Sequence, residues 1–199
     1  MSFIPKVITT DSIIVEKSKF IAIIAPLNSE NVNELLNETR KQYKDARHVT
    51  FAYRYNNSEK ASDDGEPQNT AGLPLLNLLK MNDFNNTILI VVRYFGGKKL
   101  GAGRLLRTYV EAGMKVINMT QKCVEIPAYL YEIELARDEY ERVRNHLEKN
   151  RCLIQNIDFS HINVHLQVIV SKDDTHLVES NYNIKSKIDS ILLKEVFDE

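Results

Sequence analysis

The sequence predicts a mixed α/β (α+β) protein in two consecutive parts, residues 1–126 and 127–199. Three observations predict it. In the first part, stretches of period-2 and period-3.6 hydrophobicity alternate. One short aliphatic run, Ile88 to Val92, leads straight into a glycine-rich segment and then a long amphipathic stretch. After Pro127, strand-like and helix-like patterns follow the order βαββαβ within about 70 residues.

Taken in order, Ile13 to Val15 and Phe20 to Ala25 read as strands joined by a tight polar turn at Lys17 to Lys19. Ser29 is placed to cap a helix whose apolar face is Val32, Leu35, Leu36, Thr39 and Tyr43. His48 to Tyr55 alternates as a strand, with Val49, Phe51, Tyr53 and Tyr55 on one face. A loop at Asp-Asp-Gly-Glu-Pro follows, and Gly72-Leu73-Pro74 opens a short helix through Leu79 with proline in its first turn. Ile88 to Arg93 has no polar alternation, the mark of a central strand buried on both faces. A helix from about Gly103 to Thr120 presents Leu106, Tyr109, Val110, Gly113, Val116 and Ile117 inward. The expected result is a layer of about four or five strands with helices on one side.

The second part begins with a strand from Tyr129 to Leu135 and a helix carrying Tyr140, Val143 and Leu147. Strands follow at Leu153 to Phe159 and at Ile162, Val164, Leu166, Val168 and Val170. Asp173 or Asp174 is placed to cap a helix, and Ile191 to Val196 closes the sheet. This is a ferredoxin-like order.

Composition narrows the class. With 43% hydrophobic and 27% charged residues over 199 positions, the chain is that of a soluble globular protein. Its longest aliphatic run is far short of the roughly 20 residues that span a bilayer, so no membrane association is expected. The start, MSFIPKVITTDSI, has no apolar signal core. Cys123 and Cys152 have neither metal-ligand spacing nor the density of a disulfide scaffold. A cytoplasmic protein with two buried thiols is expected, as a monomer or weak oligomer. Residues 1–126 hold 17 basic against 13 acidic residues, a net +4; residues 127–199 hold 9 against 14, a net −5. That asymmetry permits an anionic partner for the first part.

Six of the seven glycines lie between Ser62 and Tyr109, in SDDGEPQNTAG and RYFGGKKLGAGRLLRTY. Glycine supplies positive φ and close backbone approach, so two specially shaped loops are expected. The second runs from a strand through paired glycines and two lysines into a helix start, where unpaired N–H groups attract anions. It supplies Arg93, Gly96, Gly97, Lys98 and Lys99, then Gly101, Gly103, Arg104 and Arg107, as a candidate anion or nucleic-acid site. The spacing matches neither the dinucleotide fingerprint nor the P-loop. The first loop offers Asp63, Asp64 and Glu66, which can hold Mg²⁺, form an Asp-Gly turn, or pair with Arg93 or Lys98. His48, Arg54 and Gly65 join these acids around the expected cleft. His161 and His165 share a strand face without a third ligand. No serine or cysteine sits in a nucleophile context, so no catalytic residue, metal or cofactor is assigned.

These segments resemble the IMPACT/YigZ family through KSKFIA from Lys17, ARHVTFAYR from Ala46, SDDGEP from Ser62, TAG from Thr70 and VVRYFGGKKLGAG from Val91. With the LLRTY that follows, they cover most of residues 15–115. The resemblance implies a first domain of the ribosomal-protein-S5 domain-2-like fold and a smaller ferredoxin-like domain similar to the fifth domain of elongation factor G. Gln68-Asn69 departs from the family's usual small residue and glycine, and Arg104 stands where glycine is usual. Eukaryotic members regulate translation through an additional N-terminal protein-binding domain. That role is not expected here, because the sequence shows no match to such a domain. The leading expectation is a non-enzymatic protein that contacts RNA, the ribosome or a translation factor through the cleft between the two loops. The alternative is a Mg²⁺-dependent enzyme acting on a phosphorylated small molecule or nucleotide, and a third reading is a regulator binding protein through its acidic C-terminal sheet.

Overall fold

A tight hairpin sets the first sheet. Glu16 and Lys17 both take positive φ, 47° and 64°, the two-residue turn whose twist suits antiparallel strands. It joins β2 (Thr9–Val15) to β3 (Ser18–Pro26), paired from Val15↔Ser18 to Thr9↔Ile24. In the computed structural model, which describes residues 2–28 and 31–196, β3 then pairs with β6 (Thr87–Tyr94), and β6 with β4 (His48–Tyr55). All these pairings are antiparallel. β5 (Ser58–Ser62) completes the order β2-β3-β6-β4-β5. The sequence pattern did not show β5, because SEKAS has no apolar alternation. Its ladder to β4 and the turn at Asn56 (φ 51°) create it, as a charged edge strand.

Both faces of this sheet are covered. Phe20, Ala22, Ile24, Ala52, Leu89 and Val91 pack against α2 (Gly72–Met81) and α3 (Ala102–Met119). Ile21, Ile23, Val49, Phe51, Ile90 and Val92 pack under Val32, Leu35 and Leu36 of α1 (Val32–Gln42). The expectation of helices on one side is therefore corrected. A central strand buried from Thr87 to Arg93 carries apolar side chains on both faces, and each face needs its own cover. The inward stripe of α3 is also corrected. Leu105, Tyr109, Ala112 and Val116 face in, while Leu106 is 37% exposed. The expected cap Ser29 lies outside the described residues. Asn31 occupies the N-cap of α1 without a side-chain cap, and it exchanges hydrogen bonds with Asn28 instead.

β7 (Lys122–Ala136) runs through Pro127 without a break. Proline is tolerated there because Pro127 stands between the Lys122–Cys123 pairing to β1 (Ile4–Pro5) and the Ala128–Ala136 pairing to β9 (Asn163–Ser171). β8 (Leu153–Phe159) pairs with β9, and β10 (Asn183–Val196) also pairs with β7. The last strand thus starts at Asn183, well before Ile191. Tyr131, Ile133, Leu135, Val164, Leu166 and Val168 form a core with Val143 and Leu147 of α4 (Tyr140–Lys149) and Val178 of α5 (His176–Glu179). Before the four-residue α5, it is the Ser171 hydroxyl that accepts from the Asp173 N–H. His161 and His165 are both exposed.

The chain divides into two compact units. One runs up to Val124 and takes back Glu195, which pairs with Lys6; the other spans Glu125–Lys194. Among the described residues no helix is long and apolar enough to cross a membrane.

Candidate functional site

Asp63 anchors the first loop. Its Oδ1 accepts the N–H groups of Ala71 (2.9 Å) and Gly72 (2.8 Å), and its Oδ2 accepts that of Asn69 (2.8 Å). The carboxylate therefore satisfies backbone donors at the start of α2. Gly72 must be glycine there, since an added Cβ would stand 2.6 Å from the Ser62 nitrogen.

Asp64 ties the same loop to the sheet. Its Oδ2 accepts the Val49 N–H at 2.6 Å, and its Oδ1 meets Arg40 Nη2 at 2.9 Å. Burial pushes this carboxyl up, but Arg40 and the Val49 N–H outweigh burial and hold it below the usual carboxylate range. Its carbonyl faces His48 Nδ1 at 2.7 Å. A carbonyl only accepts, so Nδ1 carries a proton and donates. The other ring nitrogen, Nε2, points to Glu66 Oε1 at 3.9 Å.

Glu66 is the buried centre, its side chain 3% exposed. Arg93 Nη1 reaches its Oε1 at 2.6 Å, and the Tyr109 hydroxyl donates to the same oxygen at 2.8 Å. Burial, reinforced by the Glu66 charge, pushes the Tyr109 phenol well up. The sheet register brings these groups together: Arg93 is opposite His48 on one side and Phe20 on the other. The Arg93 guanidinium lies 5.2 Å from the Phe20 ring centre and 5.6 Å from that of Phe95. Its Nε is buried with no hydrogen-bond partner among the described residues.

The second loop rests on the β2–β3 hairpin. Gly96 donates its N–H to Ser18 Oγ at 3.0 Å, and an added Cβ would stand 2.1 Å from the Lys17 carbonyl carbon. Gly101, with φ 76°, is the N-cap of α3, whose first turn holds no acidic residue. The two loops enclose a cleft of about 380 Å³. Arg47, His48, Gly65, Glu66, Pro67 and Arg93 line it together with Phe95, Lys99, Leu100, Gly101, Ala102 and Leu105.

Of the residues singled out by sequence, His48, Gly65, Glu66, Arg93, Lys99 and Gly101 line this cleft. Gly96, Gly97 (φ 87°) and Gly103 belong to the loop and helix start without lining it. Lys98 and Arg104 turn away to Glu16, at 3.0 and 2.9 Å, and Lys98 then Arg104 hold that carboxyl below its usual range. Arg107 is exposed and outside the lining. The placement of Arg54 at the cleft is corrected. It sits at the far end of β4, bonded to Glu59 (3.1 Å) and to the Phe84 carbonyl (2.8 Å). It stands six positions along the strand from His48, about 20 Å at roughly 3.3 Å per residue. Sequence reasoning missed Arg47, Pro67, Phe95, Leu100, Ala102 and Leu105. Each had a signal, since each adjoins a residue already chosen.

The family model described as the Impact N-terminal domain matches residues 16–117, a range that contains every residue lining the cleft. The IMPACT family member YvyE of Bacillus subtilis (strain 168) is 33% identical over 174 residues, covering 82% of this chain and 77% of that protein. An IMPACT family member of Haemophilus influenzae is 26% identical over 178 residues, 86% of each chain. A crystal structure described as that of a hypothetical protein shares the fold at TM-score 0.63 and 24% identity, covering 92% of this chain and 95% of the other. With half its length matched by the domain model and a third of its aligned residues identical to YvyE, the chain belongs to the IMPACT family.

Proposed function

We propose that this protein regulates translation by binding rather than by catalysis, and that its cleft holds phosphate groups of RNA, free or in the ribosome. The translation setting rests on family membership. Phosphate binding rests on the charge of the cleft. Arg47, Arg93 and Lys99 line it against a single carboxylate, Glu66, which Arg93 and Tyr109 already engage. At its edge α3 begins with unpaired N–H groups and no acidic side chain. The Mg²⁺-enzyme alternative has less support, because Asp63 and Asp64 direct their oxygens at backbone N–H groups and Arg40. In this reading residues 1–126 have the S5 domain-2-like fold. The strand order β10-β7-β9-β8 supports a ferredoxin-like fold for residues 127–199.

RNA affinity is expected to fall linearly with salt on a log–log plot. Lys99→Ala, a change at an exposed side chain, should weaken binding and reduce the slope by about one phosphate contact. Fluorescence anisotropy over a salt series measures both. Affinity independent of salt, or a mutant with unchanged slope, would overturn the proposal.

A further inference from the structure

We infer that the cleft takes one nucleotide of a single-stranded RNA, with its phosphate at the start of α3 and its base stacked on Phe95. This rests on the phosphate-binding reading above and adds what lies next to the phosphate.

The first hydrogen bond inside α3 is Leu105 N–H to the Gly101 carbonyl, so the N–H groups of Ala102, Gly103 and Arg104 have no acceptor within the helix. Gly101 brings no capping side chain. A helix start alone would be weak ground, but Arg93, which lines the same cleft, carries a buried donor without a partner among the described residues. That donor is its Nε, on a side chain 6% exposed. Such a buried orphan donor is costly unless a ligand meets it. Glu66 does not meet it, since its contact is with Nη1.

A site for bare phosphate would need only donors. This one also has an aromatic ring and apolar walls. Phe95 is 39% exposed, and the guanidinium carbons of Arg47 and Arg93 lie 5.8 and 5.6 Å from its ring centre. Pro67, Leu100 and Leu105 continue the apolar lining. A partly exposed ring beside a cationic locus is what single-strand binders present to a base and its phosphate. At about 380 Å³ the cleft lies at the small end of ligand pockets. A duplex keeps its base faces stacked inside the helix, so Phe95 can reach a base only in a single strand.

The test uses the full chain and four probes: inorganic phosphate, adenosine 5′-monophosphate, a ten-nucleotide single-stranded oligoadenylate, and that strand annealed to its complement. Calorimetry with the native protein, Phe95→Ala and Phe95→Tyr reads each affinity. Phe95 is partly exposed, so thermal melting should show both variants folded. The expected result is single strand bound at least tenfold tighter than duplex, with Phe95→Ala losing about fivefold to a hundredfold of the single-strand affinity. Phe95→Tyr should retain it, and phosphate affinity should be the same in all three proteins. Equal affinity for duplex and single strand, or no effect of Phe95→Ala on oligonucleotide binding, would overturn the inference while phosphate binding left the broader reading intact. Adenosine monophosphate bound as tightly as the oligomer would overturn the assignment to a strand in favour of a free nucleotide. Loss of all four affinities would sink both readings.

Discussion

Glu66 joins the first loop to the central strand and to α3, through Arg93 and Tyr109. Removing one member of a buried ion pair leaves the other charge uncompensated, which typically costs about 3–5 kcal/mol. Glu66→Ala should lower the unfolding free energy by roughly that amount, measured in urea, with Arg93→Ala comparably destabilising. The Tyr109 phenol offers a pH test. Its pKa is raised in the folded protein by burial and by the adjacent Glu66 charge. The stability linked to it is therefore complete below the unfolded value of about 10 and is lost as pH rises above that value. Tyr109→Phe should decline less steeply than the native protein above pH 10. Equal slopes would show that this phenol does not carry the effect. For Asp64 the sign is opposite. Its pKa is lowered when folded, so its contribution holds above the ordinary carboxylate value and fades as pH falls through the lower, folded one.

At the level of elements, the glycines of the second loop differ in what they tolerate. Gly96 has no room: its Cβ would meet the backbone of Lys17 and Ser18 at 2.1 and 2.3 Å. Gly96→Ala should cost more than about 2 kcal/mol, by overpacking against backbone that cannot yield. Gly101 has open space but φ 76° and ψ 152°, a backbone conformation close to glycine-only, so alanine there should cost about 1–3 kcal/mol from backbone strain. Gly103 has open space and sits in the first turn of α3, so Gly103→Ala should leave stability unchanged or raise it by up to about 1 kcal/mol. Chemical denaturation of the three variants checks that order. If Gly103→Ala were as damaging as Gly96→Ala, close approach to the hairpin would not explain the loop.

For the whole molecule, each of the two units has its own buried cluster. A segment with its own core can fold alone. We propose that a fragment of residues 1–126 melts cooperatively and retains phosphate binding. Residues 127–199, near the size where stability becomes marginal and with net charge −5, should fold more weakly and bind no RNA. Calorimetric melting and the anisotropy assay on both fragments test this. An unfolded first fragment, or binding that follows the second, would contradict it.

Local periodicity and glycine placement determined much of this. The strand His48–Tyr55, the doubly buried strand around Ile90, the proline-containing helix from Gly72 and the two loops are all written in neighbouring residues. So was the family, because its motifs are short contiguous strings. What the tertiary structure decided was mostly non-local. A strand as polar as SEKAS exists only through its ladder to β4. The second helical cover arises because α1 meets the face that α2 and α3 leave open. The division of the cations is non-local too. Lys98 and Lys99 are adjacent in sequence, yet one pairs with Glu16, 82 positions earlier, while the other lines the cleft. Spacing along the chain cannot foresee that choice, because it depends on which carboxylate the hairpin turn at Glu16 and Lys17 brings within 3.0 Å.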